Sequence, residues 1–255
     1  MSFAGKVILI TGASNGIGAA AAEYFAEEGA LLALVARNAE RFEKVLANMK
    51  GKGIEMEPLV ILADVAIDAE RIINETIDKY GRLDVLINNA AFGNHESLET
   101  LNIENFDTMM ATNVRSVIQL TKLAIFPHLI ESKGNVVNIS SIAGIASFQN
   151  FLIYSMTKAA LDQFTKCVAM EVAKKGVRCN SVNPGFIDTD FHGFERNSEE
   201  YASLMQANIE MHPIGRVGQS EDIVDAIAFL ASEKASFVTG HLFVVDGGLG
   251  RKGAF

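Results

Sequence analysis

Thr11-Gly12-Ala13-Ser14-Asn15-Gly16-Ile17-Gly18 stands between two unlike segments. The apolar run before it, Val7-Ile8-Leu9-Ile10, has the length and composition of a buried strand. Residues 19–28 after it are rich in Ala and Glu and favour a helix. Strand, glycine-rich turn, helix is the setting in which a turn binds phosphate. Gly12 has access to backbone angles barred to other residues. Gly16 lets bare amides approach a pyrophosphate at the positive end of the helix. Gly18 lets the helix lie close to the strand. The spacing is G-x-x-x-G-x-G, and a merely structural tight turn is the plainer alternative.

Working outward, apolar strand-like runs recur near residues 7–10, 31–36, 58–63, 83–88, 135–140, 177–182 and 242–245. Amphipathic helical stretches separate them. Most runs are continuously apolar, as strands covered on both faces are. The alternation predicts an α/β fold with a doubly wound parallel sheet. No linker, repeat or low-complexity segment interrupts it, so residues 1–255 are expected to form a single domain.

The formal net charge of -9 argues against nucleic acid or an anionic membrane surface as partner. Cys167 and Cys179 make no disulfide framework and sit in no metal-ligand spacing. Both are expected to be core thiols in a reducing compartment. No apolar run approaches the roughly 20 residues of a membrane span. The first strand begins too early for a signal peptide, and residues 251–255 match no lipidation or address motif. The expectation is a cytoplasmic protein without a metal.

In a sheet of this kind the carboxyl ends of the strands line the ligand crevice. The second strand ends Val35-Ala36-Arg37-Asn38. An acidic residue there would grip the ribose 2′-hydroxyl of NAD, and Ala36 stands in its place. Arg37 suits a 2′-phosphate and favours NADP(H) over NAD(H); the plainer alternative is a surface arginine. Asp64-Val65 closes the third strand, where Asp64 either accepts from an adenine amine or caps a helix. Asn88-Asn89-Ala90-Ala91 ends the fourth, where Asn ties loops together or makes a simple turn. Asn113 lies inside a long helical stretch, residues 102–130, although Asn prefers caps and turns. It signals a local irregularity, or else a solvated face.

Ser140-Ser141 ends the fifth strand. Tyr154 and Lys158, four residues apart on a helix over residues 150–173, share one face. A free tyrosine, pKa about 10, is a poor acid–base catalyst at neutral pH. A neighbouring ammonium is expected to lower that pKa. An ordinary surface pair is the bland alternative. The sixth strand ends Asn183-Pro184-Gly185. Residues 186–213 then lose periodicity while keeping Phe186, Phe191, Phe194, Tyr201, Met205 and Met211, which suits a lid over the site. A short helical pair packed on the core is the rival.

Taken in order, Gly12-Gly16-Gly18, Asn88-Asn89-Ala90, Asn113, Ser141, Tyr154-x-x-x-Lys158 and Pro184-Gly185 resemble the short-chain dehydrogenase/reductase family. The similarity covers the whole chain, including Val245-Asp246-Gly247-Gly248, and Ser141 stands thirteen positions before Tyr154, as is usual there. Ala91, where the family usually has Gly, is a departure expected to be tolerated. The resemblance implies a Rossmann-type sheet of seven strands in the order 3-2-1-4-5-6-7. It implies Tyr154 as the general acid, Lys158 to lower its pKa and hold the nicotinamide ribose, and Ser141 to orient the substrate oxygen. Asn113 would anchor a water relaying protons from Lys158. Transfer of the pro-S hydride is expected. The implied cofactor contacts fall on Gly12, Ser14, Asn15, Gly16, Ile17, Gly18, Arg37, Asp64, Val65, Asn89, Ala90, Lys158, Pro184, Gly185, Ile187 and Thr189. Most members are homotetramers or homodimers, pairing through helices equivalent to residues 103–130 and 152–173.

Substrate contacts are expected from residues 92–96, 143–151 and 186–211. Phe92, Phe148, Phe151, Phe186, Phe191 and Phe194 favour a bulky lipophilic carbonyl, such as a ketosteroid or xenobiotic ketone. Reduction of 3-oxoacyl thioesters on an acyl-carrier protein is the rival within the enzyme class. That acidic partner would want a basic entrance, and Lys174-Lys175 is the one nearby doublet. A catalytically idle NADP-binding sensor is the rival from another class; such proteins lose the Tyr or Lys that this chain keeps.

Overall fold

The computed structural model describes residues 3–193 and 195–251. Seven strands, β1 (Val7–Thr11), β2 (Leu31–Ala36), β3 (Leu59–Leu62), β4 (Val85–Asn88), β5 (Asn135–Ile139), β6 (Arg178–Pro184) and β7 (Leu242–Val245), form one sheet. Its order is β3-β2-β1-β4-β5-β6-β7, and every pairing is parallel. The expected strands are all found, within about two residues at each end.

Alternate residues of a strand face opposite ways, so a strand buried on both sides is mostly apolar along its length. In β1, Ile8 and Ile10 join one core layer, Val7 and Leu9 the other. The first layer packs α1 (Gly16–Glu27), α2 (Ala39–Gly51) and α9 (Ser220–Ala231) on the sheet. The second packs α3 (Ala69–Tyr80), α5 (Ser116–Ala124) and α7 (Leu152–Val172). α1 buries Gly18, Ala21, Ala22, Phe25 and Ala26, a helical stripe of small residues and one ring. Cys179 lies in the second layer. Cys167, expected in the core, is exposed, because α7 turns Leu161, Thr165 and Ala169 inward and its opposite face to solvent.

The long stretch before β5 is helical but not regular. α4 (Ile103–Met110) passes through a wider π-helical turn at Ala111–Arg115 into α5. A second such turn, Ile125–Leu129, breaks at Phe126 (φ -108°, ψ 102°) before the single turn α6 (Ile130–Ser132). Past β6, residues expected to be aperiodic form a short turn at Asp190–His192 and a full helix, α8 (Glu199–Met211). Its one buried residue is Asn208, so no apolar stripe announced it. Ser198 caps it by accepting from Tyr201 N at 3.1 Å. Among the described residues no helix is long and apolar enough to cross a membrane.

Chain order reverses between β1 and β4, which are neighbours although β2 and β3 intervene in sequence. Crossovers diverge there, and a crevice opens at the carboxyl ends of those strands.

Candidate active site

The floor of the crevice is the glycine-rich turn. Gly12 has φ +65°, and a Cβ there would stand 2.8 Å from Asn89 Nδ2 and 2.9 Å from Ala90 Cα. A Cβ on Gly18 would run into the Gly12 carbonyl oxygen. These contacts require bare backbone. Asn89 Nδ2 donates to Thr11 O (2.9 Å) and Gly12 O (3.1 Å), clamping the turn to the end of β4. Thr11 Oγ1 accepts from Asn89 N and Ala90 N, both at 3.0 Å. Thr11 is a site-building residue that motif spacing does not mark. Asn15 Oδ1 accepts from Gly16 N at 2.8 Å and caps α1. With no acidic residue in its first turn, α1 leaves its positive end to the crevice.

At the outer end, Arg37 is three-quarters exposed and lies 3.7 Å from Asp64 Oδ2. Asp64 does not cap α3: the cap position is Asp68, and Asp64 Oδ1 accepts from Ala66 N at 2.9 Å within its own turn. Arg41 also lines this end of the cavity and was not among the expected residues. Asn38 caps α2 by accepting from Arg41 N at 2.9 Å, which puts a cation in the first helical turn. A cation opposes the helix dipole there, a signal legible in sequence only once the cap is known.

The inner end is built on α7. Tyr154 and Lys158 share one face, with Lys158 Nζ 5.4 Å from the centre of the Tyr154 ring. Lys158 is buried and donates to Ile139 O at 2.8 Å. Ser141 opens the turn Ile142–Gly144, where its Oγ accepts from Ala143 N at 3.1 Å, and its side chain acts on the Tyr154 phenol in the same cavity. Burial pushes the Tyr154 phenol up to about 12, with the Ser141 side chain opposing it. Burial pulls Lys158 down to about 8, with the Asp162 carboxylate opposing it. The sequence expectation of a lowered tyrosine pKa is therefore corrected. Desolvation, invisible in a four-residue spacing, disfavours the charged form of each group.

Asn113 lies in the π-helical turn, the irregularity its position signalled. It is buried: Oδ1 accepts from Phe92 N (2.8 Å), and Nδ2 donates to Phe92 O (2.7 Å) and Thr157 Oγ1 (3.1 Å). Both N–H bonds are used inside the protein. The side chain holds the loop after β4 against α7.

Both ends open into one cavity of about 690 Å³. Of the expected residues it is lined by Gly12, Ser14, Asn15, Gly16, Ile17, Arg37, Asp64, Val65, Asn89, Ala90, Ser141, Tyr154, Lys158, Pro184, Gly185, Ile187 and Thr189. Gly18 and Asn113 stand behind the wall. The inner half is aromatic: the Tyr154 ring is 5.7 Å from Phe191 and 6.2 Å from Phe151, which lies 4.5 Å from His95. Leu204, Asn208 and Met211 of α8 close this half, whereas Met205 does not line it. Phe194 lies outside the described residues. Asp190 reaches back to the glycine turn, accepting from Asn15 Nδ2 at 3.2 Å. Arg196 lies 3.3 Å from Asp188 and 3.5 Å from Asp190, and Tyr201 Oη donates to Asp188 at 2.8 Å.

The model of the family described as enoyl-(acyl carrier protein) reductase matches residues 12–250. An uncharacterized oxidoreductase of Thermotoga maritima is 38% identical over 97% of this chain and 98% of its own. A 3-oxoacyl-(acyl-carrier-protein) reductase of the same organism is 34% identical over 98% and 99%. A 7alpha-hydroxysteroid dehydrogenase of Bacteroides fragilis is 34% identical over 97% and 95%. A Caenorhabditis elegans short-chain dehydrogenase/reductase of unknown function, solved with cofactor, superposes with a TM-score of 0.88 at 36% identity, covering 97% of this chain and 96% of that one. L-sorbose reductase of Gluconobacter frateurii, solved with NADPH and L-sorbose, gives 0.90 at 32% identity, covering 98% of both chains.

Proposed function

The chain belongs to the short-chain dehydrogenase/reductase family, and from that membership we propose that it is an NADP(H)-dependent carbonyl reductase. It interconverts a ketone and a secondary alcohol. One observation carries this reading: Ser141, Tyr154 and Lys158 meet in the same cavity as the glycine turn.

The turn fits a dinucleotide. Bare backbone at Gly12 lets the turn close against Asn89 and Ala90, and the α1 N-terminus faces the space where a pyrophosphate belongs. Gly12, Ser14, Asn15, Gly16 and Ile17 hold the pyrophosphate, while Asp64, Val65, Asn89 and Ala90 flank the adenosine. Pro184, Gly185, Ile187 and Thr189 flank the nicotinamide. Gly18 supports the turn from behind. When bound, the cofactor supplies or accepts the hydride. Arg37 and Arg41, with no carboxylate at Ala36, favour a 2′-phosphate, hence NADP(H).

Ser141 orients the carbonyl oxygen. Tyr154 donates a proton to it as negative charge develops, and its raised pKa keeps that proton in place at neutral pH. Lys158 holds the ribose and carries its charge below about 8. Reduction therefore runs best below that pH, where both groups are protonated. Asn113 positions Phe92 and Thr157.

The aromatic inner half supports a bulky lipophilic ketone, steroid or xenobiotic. The residues 186–213, with α8, act as its lid, and residues 1–255 form one domain. A second reading, reduction of 3-oxoacyl thioesters, is favoured by the similarity to a reductase of that class. Exposed Ile103, Ile118, Met156 and Met170 on the two long helical segments support a cytosolic homotetramer or homodimer.

The test is NADPH consumption on ketosteroids, quinones, small diketones and a 3-oxoacyl thioester. Preference for the steroid or another bulky ketone is expected. Turnover of the thioester alone replaces this substrate class with the second reading. Cofactor binding with no turnover in either direction replaces both with an idle sensor.

A further inference from the structure

Below the Tyr154–Lys158 pair lies a buried carboxylate that neither the motif spacing nor the reaction uses. Asp162 stands one helical turn beyond Lys158 on α7 and is 3% exposed. Asn183 Nδ2 lies 3.0 Å from both of its oxygens. The Ser140 hydroxyl donates to the Lys158 carbonyl at 3.3 Å and acts on the same carboxylate, favouring its charged form. Gly144 closes over it so tightly that a Cβ there would run into Oδ2.

A carboxylate buried this well is costly, and an apolar residue of similar size would pack as well or better. The cations acting on it are Lys158 and Lys166, both on α7. From β6 it meets Asn183 and from the end of β5 it meets Ser140, neither of which titrates. Lys158 in turn meets the Tyr154 ring and the Ile139 carbonyl. Asn183 carries the contact further. Its Nδ2 also donates to Ser141 O at 3.0 Å, and its Oδ1 accepts from Ser181 Oγ at 2.7 Å. One side-chain amide thus joins the carboxylate to the backbone of Ser141.

We propose that Asp162 is a positioning residue of this site. Its carboxylate sustains the charge of Lys158 and, through Asn183, fixes Ser141 against Tyr154. The inference rests on the roles given above to Lys158 and Ser141.

Asp162→Asn removes the charge and keeps the shape. With 13C-labelled lysine in the cofactor-free protein, the Lys158 signal is assigned by its loss in Lys158→Arg and titrated in both proteins. The midpoint should move from near 8 in the native chain to a lower pH, by about one unit. In reductase assays the variant should lose about fivefold in kcat near pH 8 and less than about twofold near pH 6. Superimposable titrations overturn the proposal. Asp162→Ser is the second variant. If neither variant unfolds cooperatively, the carboxylate is structural and the proposal falls. A native chain that reduces no carbonyl removes the proposed function, while the lysine titration still decides the place of Asp162.

Discussion

Burial moves Tyr154 and Lys158 in opposite directions: the phenol keeps its proton at neutral pH, and the ammonium holds its charge only below about 8. Tyr154→Phe should keep NADPH affinity and lose about 10²- to 10⁴-fold in kcat, the usual contribution of a general acid. Retained turnover would remove Tyr154 from the chemistry. Lys158 also leaves a mark on stability. Below about 8 the folded chain holds a buried ammonium that the unfolded chain hydrates. Between there and the ordinary lysine value of 10.5, the unfolded chain binds the extra proton, so stability rises with pH. Tyr154 acts oppositely between 10 and about 12: the folded chain keeps the proton, and stability falls as pH rises through that window. Lys158→Met should therefore stabilise the cofactor-free protein near pH 7 by about 1–3 kcal/mol, less what the Ile139 carbonyl loses with its donor. Urea midpoints near pH 7 and pH 9 check this; the native chain should gain over that interval and the variant should not. At the outer end, Arg37→Ala and Arg41→Ala should each cost about 10- to 100-fold in kcat/KM with NADPH and little with NADH. Equal losses with both cofactors would dissociate these arginines from a 2′-phosphate.

The elements differ in how much of them the sequence discloses. Most strands are legible as apolar runs, as residues 7–10 of β1 are; β5 and β6 are less so, because they bury Asn138, Asn180, Ser181 and Asn183. The π-helical turn is legible through Asn113 alone, a residue out of place in a helix interior. What Asn113 does there is not legible, since its partner Phe92 lies on another element. Asn113→Ala would leave the Phe92 backbone N–H and carbonyl unpaired, so it should destabilise the fold by about 1–3 kcal/mol while lowering kcat. Thermal unfolding beside steady-state kinetics checks both effects. The helix α8 is hidden because its wall residues face a cavity rather than a core, which leaves no apolar stripe to count. Arg41 is hidden because its place depends on where Asn38 caps α2.

For the molecule as a whole, the sheet order is the one that the motif series implies through its family resemblance. The layered core follows from the same apolar runs. The opposed pKa shifts do not, because they depend on how deeply neighbouring elements bury Tyr154 and Lys158. The occupant of the inner cavity does not either, since phenylalanines show an apolar wall and not a substrate. The measurement that tests the central claim most directly is NADPH oxidation by the native chain over the ketone panel, with Tyr154→Phe as the blank. The expected result is turnover of a bulky ketone that falls as pH rises past about 8 and is lost in the variant. Tight NADPH binding with no turnover of any carbonyl, or equal turnover in the variant, would contradict it.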